Sequence, residues 1–293
     1  MIAVKEKAYG KINLFLDVLS RREDGFHDIR TVMHSVSLCD DITVLYTPSD
    51  RTQIRVSVDG NKFLPQDSRN LAYRAAALYL ERLAITASVD IRLVKRIPIA
   101  AGLAGGSSDA AAVLRALNRI NHRMLTDKAL SEVASEIGSD VPYCLHGKTA
   151  LCEGRGERMT RLPDIYHPYF VIAVAKEHIS TPSAYSALDG IFGNFDGSLP
   201  TGGEELFGRA MESIGQGRMP TGALFNVFER AVLPECPGAT AIKRELLSLG
   251  ASAALMSGSG PSVFGIFDTE AEQTAARDAL VSLGYSAYTA RSV

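Results

Sequence analysis

Residues 98–118, PIAAGLAGGSSDAAAVLRALN, put three glycines and two serines into the seven positions from Gly102 to Ser108. The stretch before it, VDIRLVKRIP from Val89, alternates as a strand that ends near Pro98. After it, Ala110, Val113, Leu114 and Leu117 recur at helical spacing, with Arg115, Asn118 and Arg119 on the other side. Ser107, Ser108 or Asp109 can cap that helix. A strand, a loose glycine loop and a helix N-terminus leave backbone N–H groups unpaired at the positive end of a helix dipole. Such a junction suits an anion. It equally suits a plain turn into a buried helix, because no lysine follows the glycines as G-x-x-x-x-G-K-[ST] requires, and G-x-G-x-x-G is absent.

The first strand, KINLFLDVLS, alternates Ile12, Leu14, Leu16 and Val18 with Lys11, Asn13, Phe15 and Asp17, so Lys11 and Asn13 project together. A turn at Asp24-Gly25 follows, then strands in DDITVLYT and TQIRVSVDG and a helix in RNLAYRAAALYLERLA. TDKALSEVASEIG reads as a helix capped by Thr126 or Asp127 and closed by Gly138. After about residue 153 the pattern changes. STPSAYSALDG starts a helix with Thr181 as its cap, and residues 189–203 read as a flexible loop. From HPYFVIAVA to YSAYTARS the order is β-α-β-β-α-β with inserted helices, the split βαβ or ferredoxin-like pattern. Its SGSGPS turn is a second glycine-rich element at Gly258–Gly260. Two such turns point to a ligand with phosphates at both ends, or to two phosphorylated ligands.

Composition excludes several alternatives. At 293 residues the chain is long enough for about two domains. A net charge of −2 without a dense basic run argues against nucleic acid. No apolar run has the length of a membrane span, and the N-terminus lacks a signal-peptide pattern, so a cytoplasmic protein off the membrane is expected. Cys39, Cys144, Cys152 and Cys236 show no paired spacing and read as reduced packing thiols. Cys144 and His146 alone do not make a structural metal site.

PIAAGLAGGSSDAAA resembles the phosphate loop of the GHMP kinase superfamily, and SGSGPSVFG resembles that superfamily's C-terminal glycine motif. GKINLFL with RREDGFH narrows the similarity to the branch acting on the diphosphocytidyl conjugate of methylerythritol in the non-mevalonate isoprenoid route, and RNLAYRAA, GSDVPYCLHG and STPSAY extend it along essentially the whole chain. The resemblance implies an α+β, two-lobed fold with a cleft, an ATP-binding domain at 1–153 and a ferredoxin-like substrate domain at 154–293. It also implies ATP as co-substrate, with Mg2+.

By the same resemblance, Asp140 is the general base and Lys11 polarises the acceptor hydroxyl. ATP would lie on Pro98, Ala101, Gly102, Leu103, Ala104, Gly105, Gly106, Ser107 and Ser108, with Asn70, Leu71 and Lys95 lining the adenosine pocket. Asn13 would meet the hydroxyl-bearing end of the acceptor, and Phe26 and Tyr185 would sandwich the cytosine whose edge His27 reads. Thr181, Gly258, Ser259 and Gly260 would hold the acceptor diphosphate. Two departures stand out: Phe26 stands where the family has tyrosine, and Tyr9-Gly10 where it commonly has proline-alanine. The competing readings are a GHMP kinase for another small alcohol, and a catalytically idle nucleotide-binding module.

Overall fold

The computed structural model describes residues 1–60, 63–167, 169–193 and 202–293. They sort into two compact units that interleave along the chain. One holds residues 1–10, 39–99 and 104–147; the other holds 11–38, 100–103 and 148–293. This partition differs from a single cut after residue 153, because two long strands, β1 (Ile2–Arg21) and β2 (His27–Pro48), contribute to both units. The DDITVLYT segment is the second half of β2 rather than a strand of its own.

In the first unit, β3 (Gln53–Asp59) pairs in parallel with β4 (Ala87–Val94), and β4 pairs antiparallel with Asp41–Pro48 of β2. Helices α1 (Leu71–Arg82), α2 (Gly105–Ile120), α3 (Asp127–Ile137) and α4 (Val141–His146) complete it. β4 stops at Val94, four residues before the expected Pro98. Its continuation is held instead by Asp40, whose carboxylate accepts from the amides of Arg96 and Ile97. α2 is buried on nearly every side against α1 and its neighbours. Asn118, expected on the polar face, is buried because its amide bonds both backbone groups of Leu125 and accepts from the Tyr79 hydroxyl.

In the second unit, β5 (Thr149–Gly154) lies antiparallel between Ile29–His34 of β2 and β6 (Arg158–Arg161). The ferredoxin-like part is a sheet in the order β11-β7-β10-β9, every pair antiparallel. Its strands are β7 (Phe170–Val174), β9 (Ala253–Met256), β10 (Ser262–Ile266) and β11 (Ser286–Ala290). α5 (Thr181–Phe192), α6 (Gly203–Gly215), the two-residue β8 (Phe225–Asn226), α7 (Glu229–Val232) and α8 (Pro237–Ser248) are inserted between β7 and β9, and α9 (Glu270–Ser282) joins β10 to β11. This is the β-α-β-β-α-β order with the outer strands placed as that motif requires. Of the loop expected at 189–203, residues 189–192 belong to α5 and 203 opens α6, while 194–201 lie outside the described residues.

Candidate active site

Three successive carbonyls of the first glycine loop are held within the second unit. Ala101 O accepts from the Ser262 hydroxyl, Gly102 O from the Ser257 hydroxyl at 3.0 Å, and Leu103 O from the Lys11 amide at 3.1 Å. The loop is thus pinned between β1 and the second glycine turn. Ala100, Gly102 and Ala104 all have positive φ, at 52°, 75° and 56°. A left-handed alanine is strained by roughly 1–2 kcal/mol, so the surroundings dictate this shape rather than local preference.

Lys11 reaches the same place. Its Nζ donates to Asn13 Oδ1 at 2.7 Å, and the two residues are 4% and 2% exposed. The Asn13 orientation follows from its neighbours. The Thr31 hydroxyl donates to Phe15 O at 2.7 Å, so it must accept from Asn13 Nδ2 at 2.8 Å, which turns Asn13 Oδ1 toward the lysine. Asn13 thus orients Lys11. A Cβ built on Gly258 would lie 3.5 Å from Lys11 Nζ and 3.2 Å from Gly102 Cα. One unit thus brings the lysine, the first glycine loop and the second glycine turn together.

Asn226, which no sequence motif marks, fixes the second turn: its Nδ2 donates to Met256 O at 2.7 Å and Gly258 O at 2.8 Å. The Thr181 and Ser259 hydroxyls lie 3.1 Å apart, joining two of the expected diphosphate contacts. Thr181 is not the cap of α5. Ser180 is, its hydroxyl accepting from the Ser183 amide, and this places Thr181 one position inside the helix.

The expected cytosine residues also lie in this unit. Phe26 is half exposed, and the Arg155 guanidinium lies 3.9 Å from its ring centroid. Tyr185 stacks on His27 at 4.6 Å and 20°, and meets Phe228 edge-on at 4.8 Å. Phe26 and Tyr185 therefore have different ring partners. His27 is also bonded to Asp189, through Nε2 and Oδ1 at 2.8 Å.

In the first unit, α2 begins at Gly105 with left-handed Ala104 as its cap and no side-chain capping bond. Ser107, Ser108 and Asp109 lie inside the helix, not before it. The Ser108 amide already bonds Ala104 O, so the amides of Gly105, Gly106 and Ser107 form the open N-terminal end. Gly106 is exposed and Ser107 half-buried; Ser108 is buried, its hydroxyl turned back to Ala104 O and Gly105 O. Pro98 is half-buried, and Ala101 and Leu103 are buried. Asn70 caps α1, accepting from the Ala72 amide and donating to Pro65 O, with Leu71 as the first helical residue.

Lys95 is enclosed. Its ammonium pairs with Asp40 and with Asp109 Oδ2 at 2.5 Å, and a Cβ on Gly105 would lie 3.5 Å from Nζ. All three side chains are at least 95% buried. Burial pushes the Asp109 carboxyl up to about 7, against the pull of Lys95, and Asp109 Oδ1 has no hydrogen-bond partner. A charged residue directly before an alanine-rich buried run was the available sign of this triad. Asp140 occupies the cap position of α4, but its carboxylate makes no capping bond; only its carbonyl serves the helix, accepting from the Cys144 amide at 3.0 Å.

Family models for the N-terminal and C-terminal domains of GHMP kinases match residues 70–148 and 198–286. A 4-diphosphocytidyl-2-C-methyl-D-erythritol kinase from Bacillus pumilus (strain SAFR-032) is 43% identical over 92% of this chain and 90% of its own length. One from Acetivibrio thermocellus is 36% identical over the whole of both chains. The chain belongs to this kinase family. A crystal structure of a 4-(cytidine 5'-diphospho)-2C-methyl-D-erythritol kinase superposes with a TM-score of 0.80 at 32% identity, covering 98% of each chain. A homoserine kinase from Cytophaga hutchinsonii, at 20% identity and a TM-score of 0.74, shares the fold. The fold is the two-lobed α+β fold of GHMP kinases, and this family member is an ATP-dependent phosphotransferase. Among the described residues no helix is long and apolar enough to cross a membrane.

Proposed function

We propose that this chain transfers the γ-phosphoryl group of ATP to the 2-hydroxyl of 4-diphosphocytidyl-2-C-methyl-D-erythritol, a step of the non-mevalonate route to isoprenoid precursors. The observation that carries the reading is the convergence of Lys11, Gly102 and Gly258, because the lysine missing from the glycine loop is supplied by β1. In this reading residues 1–153 supply the nucleotide site and 154–293 most of the diphosphate contacts of the acceptor.

Phosphoryl transfer is largely a matter of positioning and charge. The amides of Gly105, Gly106 and Ser107 cradle the ATP phosphates at the α2 terminus. Asn70, Leu71 and Lys95 border the adenosine. Lys11, held by Asn13, polarises the acceptor hydroxyl, and Asp140 takes its proton. The Ser107 hydroxyl and the Asp140 carboxylate would supply hard oxygen donors of the kind that suits magnesium. Bound with ATP, Mg2+ would neutralise phosphate charge. The acceptor diphosphate lies on Gly258, Ser259, Gly260 and Thr181, and its cytosine meets Phe26, His27 and Tyr185.

ADP release from the purified chain with Mg-ATP tests this, comparing the cytidyl conjugate with homoserine, mevalonate and galactose. Selective turnover of the cytidyl compound is expected. Turnover of another alcohol would retain the phosphate loop and discard the base-reading residues. Silence with all four from folded, ATP-binding protein would favour an idle module. Asp140→Asn should fold normally and lose most turnover; near-native kcat would remove Asp140 from the mechanism.

A further inference from the structure

His27 and Asp189 stand 162 residues apart in sequence, yet Nε2 of the imidazole lies 2.8 Å from Asp189 Oδ1. The two side chains are 6% and 23% exposed. A carboxylate only accepts hydrogen bonds, so Nε2 carries the hydrogen and donates it. The plane of the ring is fixed as well: it stacks on Tyr185, which is itself held edge-on by Phe228. A neutral imidazole with its hydrogen on Nε2 presents Nδ1 as a lone-pair acceptor.

We propose that Asp189 is a specificity-determining positioning residue, which locks the His27 tautomer so that Nδ1 selects a base carrying an exocyclic amine and rejects one carrying a carbonyl there. The inference rests on the reading that His27 meets the base of the acceptor. Cytosine presents an amino donor at C4, whereas uracil presents a carbonyl oxygen whose lone pairs oppose those of Nδ1. A histidine free to change tautomer would turn an N–H toward that oxygen and serve both bases. The carboxylate on the far side of the ring removes this freedom, in the way that outer partners fix the tautomer of a metal-binding histidine. Loss of Asp189 should therefore relax base choice rather than abolish turnover.

The test is steady-state kinetics of the full chain with ATP and either the cytidyl or the uridyl diphosphate conjugate of methylerythritol. The proteins compared are the wild type, Asp189→Asn and Asp189→Ala. An asparagine amide can donate as well as accept, so Asp189→Asn supports either tautomer. The wild type should prefer the cytidyl compound by about 100-fold or more in kcat/KM. In both variants the preference should fall to about tenfold or less, through the KM of the conjugates, with KM for ATP unchanged. Variants that keep the wild-type preference overturn the role of Asp189. A wild type that uses both conjugates equally defeats the base-reading itself and leaves the phosphate chemistry standing. The tautomer has its own readout on the unaltered protein: long-range 1H–15N spectra at neutral pH should show His27 protonated at Nε2 and bare at Nδ1. A hydrogen on Nδ1 there overturns the proposal even if neither variant folds.

Discussion

The Gly102 carbonyl accepts a 3.0 Å hydrogen bond from the Ser257 hydroxyl, and a Cβ on Gly102 would stand 2.0 Å from the Ser257 carbonyl oxygen. The two glycine turns thus touch backbone to backbone, at a spot where φ is also left-handed. Gly102→Ala is expected to cost about 2 kcal/mol or more in urea unfolding, since neither backbone can move aside cheaply. Gly106→Ala is the contrast, because its nearest neighbour would be Leu71 Cδ1 at an ordinary 3.5 Å. That variant should fold like the wild type, and an equal loss from both would remove the contact as the cause.

Lys11 owes its direction to Asn13 and, through it, to Thr31. Lys11→Met keeps the buried stem and deletes the ammonium. It should lower kcat by about 100-fold or more while the KM values stay within a few-fold, the pattern of an interaction made in the transition state. The melting temperature should hold or rise, because a buried charge has been removed. A variant that melts early and keeps its kcat would make Lys11 structural.

Stability against pH carries two opposing contributions. Burial depresses His34 from 6.5 to about 4; its ring nitrogens lie 2.9 Å from the Thr149 hydroxyl and 2.7 Å from that of Ser292. The unfolded chain binds that proton more readily, so this stability is present above pH 6.5 and is lost as pH falls toward 4. Asp109, raised from 3.8 to about 7, acts in reverse: its contribution is present below pH 3.8 and is lost as pH rises toward 7. Each has a limiting slope of about 1.4 kcal/mol per pH unit. Urea unfolding between pH 4 and 6.5 should give a flatter profile for the wild type than for either variant. Stability should climb with pH in Asp109→Asn and fall with pH in His34→Gln. Parallel profiles for all three proteins would show that neither group titrates as its burial implies.

Much of this molecule is legible in local sequence because much of it is locally determined. The β-α-β-β-α-β order of the second half needs only alternation, periodicity and glycine stops, and its sheet order follows from the motif. Thr126 caps α3 as read, since a hydroxyl before a periodic run has one use there. Ser107 and Ser108 look like caps of α2, whereas contacts from Lys11, Ser257 and Ser262 fix the preceding loop and the helix starts at Gly105. Asp40 illustrates the same limit. Nothing in CDDIT says that a carboxylate will bind a lysine 55 positions away, and only the pairing of β2 with β4 brings the two together. His27 and Asp189 are further apart still. The side chains that hold a site in place come from distant segments, and short motifs do not record them.

Phe26 is the residue on which the base-binding reading is most exposed to test. Its ring is half open to solvent, and one face carries the Arg155 guanidinium at 3.9 Å. A base stacked on an aromatic is worth roughly 1–3 kcal/mol by truncation, so Phe26→Ala should raise KM for the cytidyl acceptor by about tenfold or more. KM for ATP should not change. The fold should hold, because so exposed a ring contributes little to a core. Arg155→Ala separates two roles for the cation. If the guanidinium only shields the ring, its removal leaves acceptor KM as it was. If it steadies the ring through the cation–π contact, worth about 0.5–1 kcal/mol at an exposed site, KM should rise by about two- to fivefold, and Phe26→Ala should abolish that increment. An unchanged acceptor KM in Phe26→Ala would take the cytosine away from this ring.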